Sequence, residues 1–155
     1  MATTLAQQKA VAFAPKFTAF ASILGSATTI FLLGFREGKR TTYHRLVLGM
    51  SLCDVSASIA FFFTTWPIPR ETGIYGAVGN QRSCSAQAFF SQMTLSTVWY
   101  NASLAIYYVM VIVKRKKDAD IVRIEPLLHI NAIAWGLGTG LASIPLTVRN
   151  INFVC

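Results

Sequence analysis

The sequence predicts an all-α integral membrane protein, and three observations carry that prediction. Four apolar stretches, Phe17–Phe35, Leu46–Trp66, Cys84–Val113 and Leu127–Val148, are spaced along 155 residues. Each approaches or exceeds the ~20 residues a helix needs to cross hydrocarbon, where no water satisfies a stray backbone group. The chain is 54% hydrophobic and 13% charged, too few charges to clothe a soluble domain of this size. Nine of its fourteen Lys and Arg residues fall in two short connections between these stretches, as the positive-inside rule would place them.

Residues 1–16 read as a short extracellular tail ending in Pro15-Lys16, followed by a membrane domain over 17–155. The first span, Phe17–Phe35, is longer than a signal-peptide core and lacks a small-residue cleavage site. It runs into Arg36-Glu37-Gly38-Lys39-Arg40, a stop-transfer flank. The connection Arg36–Arg45 is expected to be cytoplasmic. The second span returns and stops at Trp66-Pro67-Ile68-Pro69, where two prolines oppose continuation and Trp66 suits the membrane interface. Residues 67–83, rich in Gly and Pro, form an outer loop.

The third span, Cys84–Val113, is long enough to tilt or protrude. It ends in Lys114-Arg115-Lys116-Lys117, the strongest topology signal in the chain. The fourth starts near Pro126, a favourable first-turn residue, and passes Trp135 and the series Gly136, Gly138, Gly140. Pro145 is expected to bend its outer end. Both termini are then outside, in a multi-pass protein of the plasma membrane.

Asp54 lies alone inside the second span. An intramembrane carboxylate is costly, so it is expected to face the bundle interior with a partner. Ser51 and Ser58, three before and four after, share its helical face. This face reads as a polar site for an ion, a proton or helix switching, against the plainer reading of a structural hydrogen bond. Gln92, Ser96 and Trp99 form a second polar face on the third span, with Asn101 beyond. It would line a ligand cavity and meet Asp54 deeper in, or tie the third span to the second. The sequon at Asn101 falls inside the apolar segment. Cys84 and Cys155 share the predicted outer side, where a disulfide can form; Cys53 reads as a packing residue.

Arg40 and Lys114, Arg115, Lys116 and Lys117 would contact anionic lipid or a cytoplasmic partner. A nucleic-acid reading of the net charge of +8 fails because the basic clusters border apolar helices. His44 and His129 stand without a zinc-ligand pattern, and no phosphate loop or nucleophile elbow occurs. No cofactor, metal or enzymatic activity is expected.

In the order of these features the chain resembles the first four helices of a seven-transmembrane G-protein-coupled receptor. The likeness is to the cyclic-AMP-receptor-like and secretin-like branches, particularly protist or algal members. Leu48-Gly49-Met50-Ser51-Leu52-Cys53-Asp54 looks like the helix 2 aspartate region, and Cys84 like the cysteine opening helix 3, with Cys155 as its partner. Trp99, Asn101, Trp135 and the stretch Arg40–Arg45 extend the comparison.

The resemblance implies the four-helix portion of a receptor-like bundle that takes an extracellular ligand and couples to a heterotrimeric G protein. The Asp-Arg-Tyr sequence of the rhodopsin branch is missing at the inner end of the third span, where Tyr107-Tyr108 and Lys114–Lys117 stand, so the activation mechanism of the rhodopsin branch is not implied. The resemblance stops after helix 4, and the chain is expected to be either an incomplete gene model or a truncated paralogue lacking helices 5–7. Two alternatives remain. One is a non-signalling four-helix scaffold or regulator, homo- or hetero-oligomeric through its small residues. The other is a small ion-coupled transporter using Asp54, against which stands the lack of a second carboxylate within a span and of an inverted repeat.

Overall fold

The computed structural model describes residues 4–35, 38 and 40–149, with the side chains of 140 and 143–149 left aside. Among these residues the chain is helical and contains no strand beyond one isolated bridge between Pro69 and Gly79. The elements are α1 (Leu5–Gly34), α2 (Thr42–Phe63), α3 (Gln81–Ser91), α4 (Met93–Tyr108), a short α5 (Asp118–Ile121) and α6 (Glu125–Arg149). Helix α4 continues into a π-helical segment, Val109–Val113. Three helical segments are long and apolar enough to cross a membrane: Leu5–Gly34, Thr42–Phe63 and the combined Gln81–Val113. Their outward faces are apolar too: Phe17, Leu32 and Ile112 are exposed, a surface that suits lipid and not water.

The boundaries differ from the sequence reading for identifiable local reasons. Helix α1 begins twelve residues before Phe17 because Thr4 and Gln7 form a reciprocal capping box. Pro15 lies within it, and Lys16 sits with its ammonium 4.0 Å from the centroid of the Trp66 ring. The assigned tail is therefore mostly helix. Helix α2 starts at Thr42, which moves Arg45 out of the connection and into the first helical turns. It ends at Phe63 rather than Trp66, because Thr64 turns the backbone to a φ of 46°.

The third span opens three residues before Cys84, with Asn80 capping Ser83, and it is interrupted at Gln92 between α3 and α4. The fourth predicted run, Leu127–Val148, falls within α6, which is not among the three segments that qualify as spans over the described residues; the surroundings of Gly140 and the side chain of Pro145 lie outside the described residues, as do Arg36, Lys39 and Cys155.

Helix α1 lies against α2, α2 against α3 and α4, and α6 against α3 and α4. The buried core joins Leu46, Cys53, Tyr100, Leu104, Leu128 and Ala132, so it belongs to α2, α4 and α6 and lies toward the end with the basic connections. Between α4 and α6 the approach is close: a Cβ on Gly136 would stand 1.6 Å from Ser96 Oγ. Trp99 stacks on Trp135 beside this contact, with centroids 5.0 Å apart and planes 11° from parallel.

At the opposite end, Gln87 donates to the carbonyls of Ala60 at 3.1 Å and Thr64 at 2.8 Å. Both carbonyls belong to the end of α2, where intrahelical donors run out. Gln87→Leu should lower stability by about 1–3 kcal/mol by stranding them, read as a drop in the melting temperature of the purified protein in detergent.

Candidate functional site

Two polar clusters are set into this apolar bundle. The first is centred on Asp54. Its Oδ2 accepts hydrogen bonds from Ser22 at 3.0 Å and from Ser26, both on α1. Ser58 donates to Ser22 at 3.0 Å, which extends a chain of hydroxyls from one carboxylate oxygen. Ser22 and Ser26 are four residues apart, as are Asp54 and Ser58, so the two helices present matching rungs. A cavity of about 300 Å³ adjoins the cluster, lined in part by Thr18, Ser22, Asp54, Ser58 and Thr94.

The partner expected for Asp54 is thus supplied by α1. The face of Gln92, Ser96 and Trp99 divides between other tasks. Gln92 occupies the interruption between α3 and α4, Ser96 is buried against Gly136, and Trp99 stacks on Trp135. Asn101 is exposed and donates to Thr97 of its own helix at 3.0 Å, so its side chain makes that bond within α4. Ser51 is buried in α2. Asp54→Asn keeps one acceptor for Ser22 or Ser26, so the fold should survive it with a loss of about 1 kcal/mol or less. A melting temperature within a few degrees of wild type would show this.

The second cluster lies at the basic end and is the larger. Glu125, in the first turn of α6, is 8% exposed. Arg45 of α2 grips it with both Nε and Nη2, the latter at 2.6 Å. This two-pronged geometry is the one guanidinium and carboxylate favour. Thr42 adds its hydroxyl to the same carboxylate at 3.0 Å. The Thr42 backbone N–H, free of an intrahelical acceptor at the start of α2, donates to Asp118 of α5 at 3.2 Å. A carboxylate at a helix N-terminus is also favoured by the helix dipole.

From Glu125 the contacts run inward. His129, one turn later, places Nε2 3.8 Å from Glu125 and Nδ1 2.9 Å from the Tyr100 hydroxyl. Tyr100 is fully buried and lies over Gly49, where a Cβ would be 2.7 Å from its oxygen. One polar chain thus links the start of α2, α5, the start of α6 and the middle of α4.

The basic residues of the connection, Lys114 to Lys117, are exposed beside this cluster. Arg40 is exposed and donates to the Gly34 carbonyl at 2.7 Å, closing the end of α1. Among the described residues no three His, Cys, Asp or Glu side chains stand close enough to hold a metal ion. Cys53 is a free, buried thiol. Cys84 is buried at the start of the third span, and its expected partner Cys155 lies outside the described residues.

Sequence reasoning missed the second cluster. Glu125 and His129 carry a signal, a spacing of four on one helix, but His129 reads as isolated and Glu125 lies just outside the apolar run that begins at Leu127. Counting carboxylates only within apolar stretches left out a buried one just outside. Comparison with protein-family models, curated protein sequences and solved structures finds no match to this chain.

Proposed function

We propose that the chain is a receptor-like membrane protein whose family form binds an extracellular ligand and passes a conformational change to a heterotrimeric G protein. The observation that carries this reading is the Arg45–Glu125 pair, extended by Thr42, Asp118, His129 and Tyr100. A buried ion pair contributes little net stability, but it fixes one arrangement of three elements at the end where the basic connections would meet a cytoplasmic partner. Breaking it would free α2 and α6 to move against α4.

In this proposal the basic end is cytoplasmic, the membrane is the plasma membrane, and the N-terminus is outside. Cys84 and Cys155 form an outer disulfide, and Asp54 with Ser22, Ser26 and Ser58 holds α1 to the bundle. The ligand cavity opens at the outer end.

The scaffold reading loses support from Gly136, whose small size is used within the chain against Ser96. The transporter reading draws on the Asp54 cavity alone. The decisive experiment expresses the product of the native transcript in cells carrying energy-transfer sensors of G-protein dissociation. Arg45→Ala should raise the basal signal several-fold over wild type at equal surface expression. A flat signal from both proteins refutes coupling. Cation flux that Asp54→Asn abolishes would favour transport instead.

A further inference from the structure

The Arg45–Glu125 joint has a neighbour whose charge a proton changes. His129 lies one turn along α6 from Glu125, with its Nε2 3.8 Å from Glu125 Oε1 and its Nδ1 2.9 Å from the Tyr100 hydroxyl. These neighbours fix the hydrogen of the neutral ring. Nε2 faces a carboxylate, which only accepts, so the hydrogen sits there and Nδ1 accepts from the Tyr100 O–H. The carboxylate is already engaged: Arg45 Nε holds Oε1, while Arg45 Nη2 and Thr42 hold Oε2. Among the described residues, the charged and titratable groups facing the ring are Glu125 on its own helix, Arg45 from α2 and Tyr100 from α4. Cys53 of α2 joins Tyr100 in the core, and Asp118 of α5 acts one step away, through the Thr42 N–H. Helix α3 also packs on α6, but its titratable groups, Arg82 and Cys84, lie at the far end of the bundle.

We infer that His129 is a proton-operated latch on the joint between α2 and α6: a proton on its ring draws Glu125 away from Arg45. The hydrogen count carries the inference. A second ring hydrogen arrives on Nδ1, where the Tyr100 O–H already donates, and two donors cannot share that line. Tyr100 is fully buried, and its hydroxyl has no second partner among the described residues, so its hydrogen has nowhere else to go. The free move is the ring's. Turning from Tyr100 toward Glu125 closes the 3.8 Å gap into a charge-assisted hydrogen bond. That bond falls on Oε1, the oxygen that Arg45 Nε holds. Arg45 is the more exposed member of the pair, so it is the one with water to turn to. The His129 side chain is 26% exposed, and protons from the solution at the basic end reach it. An ordinary imidazole titrates near about pH 6.5, so the joint is closed at neutral pH and opens in mild acid. The inference needs this joint but not coupling to a G protein, and its test contains no G protein, so the two readings fail separately.

The test uses the full chain in phosphatidylcholine nanodiscs, with isotope-labelled histidine and arginine followed by nuclear magnetic resonance from about pH 7.5 to about pH 5. His44 and His129 are the only histidines, so the spectrum of His129→Gln assigns both; Arg45→Lys assigns the Arg45 Nε–H. Guanidinium N–H exchange with water is base-catalysed and by itself slows in acid. In the wild type the Arg45 Nε–H should instead exchange about tenfold faster in acid, the worth of one charge-assisted hydrogen bond, with a midpoint that matches the titration of His129. His129→Gln, which still offers Tyr100 an acceptor, should remove the acceleration. Tyr100→Phe, which deletes the competing hydrogen, should raise the His129 midpoint by about half to one pH unit, the value of one neutral hydrogen bond. If His129 titrates in the wild type while Arg45 exchange only slows, the inference is overturned on unaltered protein. A ring that stays neutral throughout the range, an acceleration that survives His129→Gln, or an unmoved midpoint in Tyr100→Phe overturns it as well.

Discussion

Arg45→Ala should cost about 3–4 kcal/mol of stability, and Glu125→Ala about 2–3 kcal/mol, with the double variant far less destabilised than their sum. Removing one member of a buried pair costs about 3–5 kcal/mol because the other charge is left without a partner. The two sides differ here. The Glu125 side chain is 10% exposed and that of Arg45 38%, so an abandoned Arg45 reaches water and an abandoned Glu125 does not. The Arg45 side chain's exposure lowers the Glu125→Ala figure, since solvent screens what remains. Thermal unfolding of the four proteins in one detergent, followed by tryptophan fluorescence, gives the coupling energy directly. Additive losses would show that the pair is not the joint between α2 and α6.

Gly136→Ala should destabilise the bundle by about 1–3 kcal/mol, the cost of overpacking a close interface, and Ser96→Gly should recover most of that loss. The added methyl would meet Ser96 Oγ at 1.6 Å and Ser96 Cβ at 2.9 Å. Removing that side chain clears both contacts while the backbone nitrogen, at 3.4 Å, stays within ordinary packing. The Trp99–Trp135 stack reports the same interface, so near-ultraviolet circular dichroism of the tryptophans should weaken in Gly136→Ala and return in the double variant. Failure of Ser96→Gly to rescue would place the damage elsewhere than the α4–α6 contact.

Much of the architecture was legible because each apolar run states its own length. Phe17–Phe35 and Leu46–Trp66 fall on α1 and α2, and the third run falls on Gln81–Val113 despite its interruption at Gln92. Helix ends were less legible. The capping box at Thr4 and the early start at Thr42 are polar, local devices that a search for apolar runs passes over. The polar sites were legible in part: Asp54 announced itself by its cost among apolar neighbours, but its partners on α1 are serines, common enough to carry no warning.

The sequence by itself determined that this protein is helical and apolar enough for a membrane, because backbone satisfaction in hydrocarbon depends on local length and composition; of the four spans it predicted, three fall on described helices long and apolar enough to cross. It also determined that Asp54 must find a polar partner. Only the tertiary structure decided which partner. Ser22 is 32 residues from Asp54 in sequence, and Arg45 is 80 from Glu125. Contacts over such distances are set by how helices pack, and packing here follows from small residues at Gly49 and Gly136 that admit Tyr100 and Ser96. A chain reports its helices one at a time; the pairing of charges waits until those helices have been brought together.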